Sequence, residues 1–288
     1  MNKIISVLVT GANSQLGKTL QEYMHLSTFD FHFTDIEILD ITKKESVNKV
    51  FEQKNYDFCF NFAAYTNVNL AEKEQEKCYA VNVQAVENLA KACQKYHTTL
   101  VHISTDFVFD GAQTIPYKET DVANPLNYYG KSKLLSEQVI RKYLDRYYII
   151  RTSWLYSHYN NNFVKTISRL AQTKNELKIV ADQVGTPTYA VDLIDFVLKL
   201  TTKENANFGL YHYSNSGSAS WFDFGKEIVD NLAIEKDVFA IDSNQFKTPA
   251  TRPKYSVLSK EKAVNNFDIQ PRTWQKALAE YFVKFKNN

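Results

Sequence analysis

The first 151 residues alternate between short apolar runs typical of buried strands and amphipathic segments typical of helices. This alternation constrains the fold most, because strands joined by crossover helices lie parallel in one sheet with right-handed connections. The predicted strands are Ile4–Thr10, Phe31–Thr34, Phe58–Phe62, Leu100–Ser104 and Tyr147–Arg151, and the predicted helices are Leu16–Met24, Ser46–Lys54, Cys78–Tyr96 and Tyr129–Leu144. We therefore predict an α/β fold with a doubly wound parallel sheet, whose ligands bind beyond the carboxyl ends of the strands.

The pattern loosens after Arg151, where the loops contain many aromatic and amide residues. Helices are predicted over Asn162–Gln172, Val191–Leu200, Ser220–Leu232 and Thr273–Phe285, and short strands over Leu177–Val180 and Leu210–Tyr213. The sequence contains no internal repeat and no low-complexity linker. We therefore expect the second half to pack directly on the first and to shape a pocket for a larger ligand.

Charge and composition exclude several classes of protein. The 34 Lys and Arg residues nearly balance the 32 Asp and Glu residues, so nucleic acid is not an expected partner. No apolar stretch approaches the ~20 residues needed to cross a bilayer, and the N-terminus lacks the apolar region of a signal peptide. The three cysteines, Cys59, Cys78 and Cys93, have no CxxC spacing. These features predict a reduced, cytoplasmic protein.

A glycine-containing turn follows the first predicted strand and opens the first predicted helix. The segment from Thr10 to Gly17 reads TGANSQLG, with glycine at Gly11 and Gly17 and Ser14 at the middle position of G-x-x-G-x-x-G. Such a turn directs backbone N–H groups and the positive end of the helix toward a pyrophosphate. The Ser14 hydroxyl is small and can also donate to a phosphate oxygen. An ordinary strand–helix turn is the alternative interpretation.

An acidic residue ends the second predicted strand. Asp35 lies 24 residues after Gly11, near the spacing of a carboxylate that accepts hydrogen bonds from the adenosine ribose. A carboxylate there repels a 2′-phosphate, and the next residue is Ile36 rather than an arginine. We therefore predict that NADH is preferred and that NADPH can also be used. Asp40 and Ile41 are placed near the adenine, with a turn at Asp40 and a helix cap at Thr42 as the alternative.

Tyr129 and Lys133 stand four residues apart at the start of a predicted helix, so their side chains share one face. A nearby ammonium lowers the pKa of a tyrosine from ~10 toward the working pH, which suits a proton donor. Tyr128 has no lysine at this spacing. Thr105, at the carboxyl end of the preceding strand, can align a substrate carbonyl with the tyrosine. A solvated tyrosine and lysine and a plain polar strand end are the alternatives.

These features, in this order along the chain, resemble the extended short-chain dehydrogenase/reductase superfamily. Longer segments resemble the dTDP-4-dehydrorhamnose reductase family, which completes the synthesis of dTDP-L-rhamnose. The matching segments are Val9–Asn13, Gln15–Gly17, Asn61–Glu72, Ser104–Gly111, Tyr129–Leu134, Arg151–Tyr156, Asn162–Val164, Asp182–Thr188, Ser220–Trp221 and Arg252–Leu258. The resemblance implies a Rossmann-like NAD(P)-binding domain over residues 1–154 and about 185–203. It also implies a smaller α/β nucleotide-sugar-binding domain over about 155–184 and 204–288.

The resemblance also implies roles for individual residues. Thr105, Tyr129 and Lys133 form the expected catalytic set. The expected cofactor-binding residues are Gly11, Asn13, Ser14, Gln15, Leu16, Gly17, Asp35, Asp40, Ile41, Ala63, Ala64, Tyr65, Tyr129 and Lys133. The expected substrate-binding residues are Thr105, Asp106, Phe107, Trp154 and Arg252, with a core aromatic at Trp154 and a solvated loop at Arg252 as the alternatives.

The expected reaction is NAD(P)H-dependent reduction of the C4 carbonyl of dTDP-4-dehydro-β-L-rhamnose. The partner is thus a dTDP-linked 4-keto-6-deoxy sugar, and both a monomer and a homodimer fit the sequence. Some family members bind Mg²⁺ through carboxylates near the first helix, but Thr19 stands where one of them lies, so no metal is expected. The alternatives are another nucleotide-sugar 4-ketoreductase or epimerase of the superfamily, or a non-catalytic regulatory subunit.

Overall fold

The computed structural model describes residues 4–26, 28–203 and 207–286; the side chains of residues 285 and 286 are not described. The strands are β1 (Ile5–Thr10), β2 (Phe29–Thr34), β3 (Phe58–Asn61), β4 (Thr99–Thr105), β5 (Tyr147–Thr152), β6 (Leu155–Tyr156), β7 (Glu176–Val180), β8 (Val184–Gly185), β9 (Thr188–Tyr189), β10 (Gly209–His212), β11 (Ala219–Ser220) and β12 (Asp237–Ile241). The helices are α1 (Gln15–Gln21), α2 (Lys44–Gln53), α3 (Val68–Ala71), α4 (Gln75–Tyr79), α5 (Ala85–Lys95), α6 (Tyr128–Tyr143), α7 (Phe163–Thr173), α8 (Ala190–Thr202), α9 (Trp221–Leu232), α10 (Glu261–Phe267) and α11 (Trp274–Lys286).

Six parallel strands form the central sheet, in the order β10-β5-β4-β3-β1-β2. Val7, Leu8 and Val9 of β1 are fully buried, as the apolar run predicts for a strand covered on both faces. The strand order reverses between β1 and β3, which opens a crevice at the carboxyl ends of these strands. The predicted Rossmann-like doubly wound sheet is confirmed.

Helices cover both faces of this sheet. On one face, α1 and α8 bury an apolar stripe that includes Leu20 and Leu193 against β1, β3 and β5. On the other face, α2, α5 and α6 pack Phe51, Leu89 and Ile140 against the same sheet. Each fully buried side chain of this size contributes about 1.5–3 kcal/mol to folding. Both faces of the sheet are therefore covered, and its carboxyl edge is not covered by these helices.

The second half builds a smaller layer around helices α7, α9 and α11 and the parallel pair β7–β12. Its core contains Tyr156, Phe224 and Tyr281, three of the aromatic residues that made this half look irregular in sequence. Residues 204–288 were expected in the second domain. Strand β10 lies within this range, but it pairs with β5 in the central sheet. Residues 1–3, 27, 204–206 and 287–288 of the expected domains lie outside the described residues.

The long helix predicted over Cys78–Tyr96 contains an irregularity. Residues Ala80–Gln84 form one π-helical turn between α4 and α5. The wider turn places Asn82 toward the interior, where its side chain bonds the backbone of Tyr65 and the hydroxyl of Ser132. Such turns interrupt helices where a side chain is needed at an unusual angle.

No helix within the described part of the chain is both long enough and apolar enough to span a bilayer. Cys59, Cys78 and Cys93 are free and buried.

Candidate active site

The glycine turn after β1 brings the backbone of three segments close together. Gly11 has φ +68°, and a Cβ added there would lie 2.6 Å from the backbone nitrogen of Ala63. A Cβ on Gly17 would lie 2.3 Å from the Gly11 carbonyl oxygen. Neither clash can be relieved by rotating a side chain, so both positions require glycine. The turn thus lies against the residues that follow β3 and leaves a narrow cradle in front of α1.

Ser14 is the N-cap of α1, where its Oγ accepts a hydrogen bond from the Gly17 N–H at 3.0 Å. The N–H groups of Gln15 and Leu16 have no acceptor inside the helix, because the first turn of a helix lacks one. They lie at the positive end of the helix dipole, where an anion is stabilised. The capping bond explains the serine at the middle position, and its hydroxyl proton remains able to donate.

Two acidic residues border the far end of the crevice. Asp35 follows β2 and accepts hydrogen bonds from the Asn13 N–H at 2.8 Å and the Ile36 N–H at 2.7 Å. Asp40 accepts from both the N–H and the hydroxyl of Thr42, at 3.0 and 2.6 Å. The alternative turn at Asp40 therefore forms, whereas α2 begins at Lys44, so Thr42 is not its N-cap.

Thr105 lies at the carboxyl end of β4 and is buried. Its Oγ1 donates to Asp106 Oδ1 at 3.1 Å and accepts from the Phe107 N–H at 3.2 Å. Asp106 Oδ2 in turn accepts from the Ser256 hydroxyl at 2.6 Å. Burial raises the pKa of Asp106 to about 7, with the Ser256 and Thr105 bonds acting in the opposite direction. The strand end thus presents a hydroxyl backed by a carboxyl group that is partly protonated near neutral pH.

Tyr129 is in the first turn of α6 and forms a hydrogen bond with Thr105. Its ring packs edge-on against Phe107, with ring centres 6.1 Å apart. Its neighbour Tyr128 is positioned differently: it does not line the crevice, and its backbone N–H donates to Glu72 Oε1 at 2.8 Å. Of the two adjacent tyrosines, the one with lysine at i+4 therefore faces the crevice.

The expected electrostatic effect of Lys133 on Tyr129 is not found. Burial raises the pKa of Tyr129, and the hydrogen bond with Thr105 offsets only part of the rise. Burial also lowers the pKa of Lys133 to about 8, against the opposing charge of Glu137. The physical reason is that both groups lie away from solvent, where charge is disfavoured on either. Tyr129 therefore keeps its proton at neutral pH.

These segments enclose one cleft of about 730 Å³. Thr105, Tyr129 and Lys133 line it, as do the predicted residues Gly11, Asn13, Ser14, Gln15, Leu16, Asp35, Asp40, Ile41, Ala63, Ala64, Asp106 and Trp154. Gly17, Tyr65, Phe107 and Arg252 do not line it. Gly17 packs behind the turn against Gly11, and the Tyr65 hydroxyl donates to Glu74 at 3.0 Å.

Two predicted substrate residues have clear structural partners. Trp154 has φ +46° and stacks face to face on Trp221, with ring centres 3.5 Å apart. Its ring also closely approaches Gly185, where a Cβ would lie 2.6 Å from the indole. The Arg252 guanidinium bonds Thr248, the Ala250 carbonyl and Asn69. These bonds within and beside its own loop hold Arg252 outside the cleft.

The sequence interpretation missed several lining residues from the second half. Asn160, Asn161 and Asn162 line the cleft beside the glycine turn, and Asn160 Nδ2 donates to the Asn13 carbonyl at 2.8 Å. Gln15 Oε1 accepts from Ser157 at 2.9 Å and from Asn162 at 3.1 Å. The run of three amides was the available signal, because amides outside regular structure commonly bind backbone groups.

Within the described residues, no group of three or more His, Cys, Asp or Glu side chains is arranged to hold a metal ion. Thr19 donates its hydroxyl to the Gln15 carbonyl at 2.8 Å.

The fold and the site together define a class. A doubly wound sheet, a glycine turn at the start of α1 and a Thr-Tyr-Lys set on one cleft are typical of the extended short-chain dehydrogenases/reductases. Residues 5–287 match the family described as the RmlD substrate binding domain.

Named relatives narrow this class. A spore coat polysaccharide biosynthesis protein, SpsK of Bacillus subtilis, is 40% identical over 96% of both chains. The dTDP-4-dehydrorhamnose reductase of Aggregatibacter actinomycetemcomitans is 38% identical over 94% of this chain and 96% of its own. The crystal structure of dTDP-4-dehydrorhamnose reductase from Bacillus anthracis in complex with NADP superposes with a TM-score of 0.94. The two chains are 39% identical, and the superposition covers 99% of this chain and 100% of the other. The chain belongs to the dTDP-4-dehydrorhamnose reductase family.

Proposed function

We propose that this protein uses NADH or NADPH to reduce the C4 carbonyl of dTDP-4-dehydro-β-L-rhamnose, yielding dTDP-L-rhamnose. The observation that carries the proposal is the shared cleft. The glycine turn, suited to a pyrophosphate, opens into the same space as Thr105, Tyr129 and Lys133. Relatives that are 34–38% identical over at least 93% of this chain bear the name dTDP-4-dehydrorhamnose reductase, which supports this substrate.

Tyr129 donates its phenolic proton to the carbonyl oxygen as the carbonyl becomes a hydroxyl. Thr105 turns its single hydroxyl proton from Asp106 to that oxygen and holds it by a hydrogen bond, and it lies beside Tyr129, so both hydroxyls act on one atom. Proton donation of this kind is typically worth ~10²–10⁴ in rate, and correct alignment adds to it. Lys133 positions Tyr129 and would bond the nicotinamide ribose of a bound cofactor.

The chain offers a suitable cradle for a dinucleotide. At Gly11 and Gly17 a Cβ would clash with backbone, and the start of α1 presents free N–H groups to a diphosphate. When bound, the reduced nicotinamide supplies a hydride to the carbonyl carbon. We propose that Asp35 makes NADH the preferred form, because its carboxylate borders the cleft and repels a 2′-phosphate. Asp40 adds a second negative charge on the same side.

The remaining assignments concern the substrate contacts, the domain division, the cell compartment and the oligomeric state. We propose that Asp106 and Trp154 contact the sugar, and that Phe107 supports Tyr129 from behind. Arg252 binds the diphosphate of the sugar nucleotide once its loop bonds are exchanged for a phosphate, since a guanidinium pairs with such oxygens bidentately. Residues after 154, apart from about 185–203 and β10, form the substrate domain. The protein acts in the cytoplasm, as a monomer or a homodimer.

The deciding experiment supplies purified protein with NADH and the product of the dehydratase and epimerase that act on dTDP-glucose. NADH oxidation with formation of dTDP-L-rhamnose supports the proposal. A different deoxysugar as product points to another 4-ketoreductase and overturns the named substrate. Sugar conversion without net NADH oxidation, with NAD retained through dialysis, points to an epimerase. An intact protein that converts no sugar overturns the proposal and favours the alternative of a non-catalytic regulatory subunit.

A further inference from the structure

A buried row of polar side chains leads across the sheet to Lys133 in the cleft, and its other three members, Thr10, Asn61 and His102, have no role in the mechanism above. Thr10 Oγ1 lies 2.7 Å from Asn61 Oδ1, and Asn61 Nδ2 lies 3.0 Å from His102 Nδ1. His102 Nε2 lies 3.1 Å from Lys133 Nζ. Thr10, Asn61 and His102 are neighbours in register on β1, β3 and β4, so the sheet itself aligns the row. None of the four side chains is more than 2% exposed.

Lys133 needs an acceptor in this position. An ammonium has three N–H donors and no acceptor, and leaving it unpaired in the interior is costly. Among the residues the structure describes, His102 is the one side chain hydrogen-bonded to Nζ. Ser136 also contacts His102 Nε2 at 3.0 Å, but its hydroxyl donates to the Lys133 carbonyl at 2.6 Å. The Nε2 lone pair therefore remains for Lys133.

The protonation states around Lys133 indicate that the acceptor of its hydrogen bond is a neutral imidazole. Glu137 on α6 favours the ammonium, Cys78 on α4 acts in the same direction when ionised, and Tyr129 stays protonated. Burial and the Lys133 charge hold the pKa of His102 well below its usual range. His102 is thus uncharged near neutral pH, and a neutral imidazole has one acceptor nitrogen.

We propose that His102 is a positioning residue that accepts a hydrogen bond at Nε2 from the Lys133 ammonium and holds it beside Tyr129. The His102 proton is then on Nδ1 and is donated to the Asn61 amide oxygen, with the Asn61 amide turned over so that Oδ1 takes the place of Nδ2 beside His102. The Asn61 amide group donates in turn to the Thr10 hydroxyl. Side-chain amides can present either atom, and a hydroxyl can accept as well as donate, so the row permits this direction. The contact itself does not depend on the reaction, whereas its catalytic consequence rests on the proposed function.

The contact can be tested without any assay of activity. Protein labelled with ¹⁵N in its six histidines reports which ring nitrogen carries the proton, and the spectrum of His102→Gln assigns the His102 signals. Near pH 7, below the Lys133 pKa of about 8, we expect the proton on Nδ1. In Lys133→Met, Ser136 is left as the partner of Nε2, so the proton moves to Nε2. A wild-type spectrum with the proton on Nε2 overturns the proposal.

The catalytic consequence is tested by two substitutions at one position. His102→Leu removes the acceptor, so we expect kcat to fall roughly tenfold or more. Without the acceptor Lys133 loses its proton more easily, so the basic limb of the pH profile of kcat moves about one pH unit toward acid. His102→Gln retains an acceptor oxygen, so most of kcat and the position of the limb are restored. A matched control is His212→Gln, since His212 is also fully buried but contacts Arg151 and the Tyr117 carbonyl.

The outcomes separate positioning from a merely structural effect. If His102→Leu lowers kcat but leaves the basic limb where it is in the wild type and in His212→Gln, the positioning role is contradicted. If the wild-type protein reduces no sugar, the proposed function fails, while the histidine spectra still decide the contact. Retention of wild-type kcat by His102→Leu also overturns the proposal.

Discussion

At the scale of single residues, Tyr129 and Tyr128 provide an internal comparison. Tyr129→Phe removes the phenolic proton but keeps the ring that packs on Phe107. We expect kcat to fall at least a hundredfold, the typical contribution of a proton donor, while NADH affinity changes little. Steady-state kinetics and NADH fluorescence titration measure the two effects. Tyr128→Phe is the control and keeps its backbone bond to Glu72; wild-type turnover in Tyr129→Phe contradicts the assignment.

The choice between cofactors is also decided at one residue. Asp35→Asn removes the charge but keeps an oxygen for the Asn13 N–H, and Asp35→Ala removes both. We expect kcat/KM for NADPH relative to NADH to rise about tenfold in both variants, because a like charge no longer faces the 2′-phosphate. The ratio is the proper measure, since Asp35→Ala also loosens the turn and weakens binding of either cofactor. An unchanged ratio in both variants shows that selectivity lies elsewhere.

Spacing alone predicted which side chains share the cleft but not their protonation. The i, i+4 spacing of Tyr129 and Lys133 placed both on one face of α6, and both line the cleft. The lowered tyrosine pKa expected from that spacing is wrong, because the dominant effect is burial. Burial depends on segments distant in sequence, such as the strand that carries His102. The partner of Lys133 was therefore invisible in the local pattern.

At the scale of elements, the start of α6 depends on a close approach of two segments. A Cβ at Gly130 would lie 2.1 Å from the Phe107 carbonyl oxygen, and this backbone atom cannot rotate away. We expect Gly130→Ala to push α6 from the loop after β4 and to separate Tyr129 from Thr105. Both the midpoint of urea unfolding and kcat should fall, the latter at least tenfold because alignment is lost.

Gly225→Ala is the matched control for that substitution. Gly225 lies inside α9, where a Cβ would meet the Cδ1 atom of Ile179 at 2.3 Å, the end of a flexible side chain. Rotation of Ile179 relieves this clash, and alanine is about 1 kcal/mol better than glycine in a helix. We expect a small change in stability and wild-type kcat. Equal losses of kcat in both variants would show that the approach at Gly130 has no special role.

Periodicity predicted the regular elements and missed those set by distant contacts. Ser220 and Asn162 cap α9 and α7, so the predicted starts of these helices differ from the observed ones by one residue. The π turn over Ala80–Gln84 was missed because it depends on partners of Asn82 elsewhere in the chain. Two-residue strands such as β6 and β9 are too short to show a period. Strand β10 was recognised as a strand, but a local pattern cannot indicate which sheet it joins.

At the scale of the whole molecule, bonds to the cleft join its two halves. Ser157 and Asn162 hold Gln15 of the glycine turn, and Ser256 holds Asp106 at the end of β4. The sequence predicted that the second half packs directly on the first, since it contains no linker. It did not indicate these bonds, because each joins residues more than a hundred positions apart. The same bonds place part of the second half at the edge of the cleft.

The burial of Asp106 makes the stability of the folded chain depend on pH. The pKa of Asp106 is about 7 when folded and returns to its ordinary value of 3.8 on unfolding. The folded state therefore binds more protons between these values, so its stability falls as pH rises through this window. Asp106→Asn cannot ionise and escapes this loss. Its stability relative to wild type should thus be greater at pH 8 than at pH 5, by on the order of 2 kcal/mol.

Ser256→Ala should make the stability of the folded chain depend more steeply on pH, whereas Asp106→Asn makes it depend less. Without the Ser256 hydroxyl, the ionised carboxylate loses a donor, so the pKa of Asp106 rises further and stability falls more steeply with pH. Urea unfolding of the three proteins from pH 5 to pH 8 measures both slopes. Parallel profiles for wild type, Asp106→Asn and Ser256→Ala would mean that Asp106 ionises freely in the folded chain. Divergent slopes would instead show that burial raises the pKa of the carboxyl group behind Thr105.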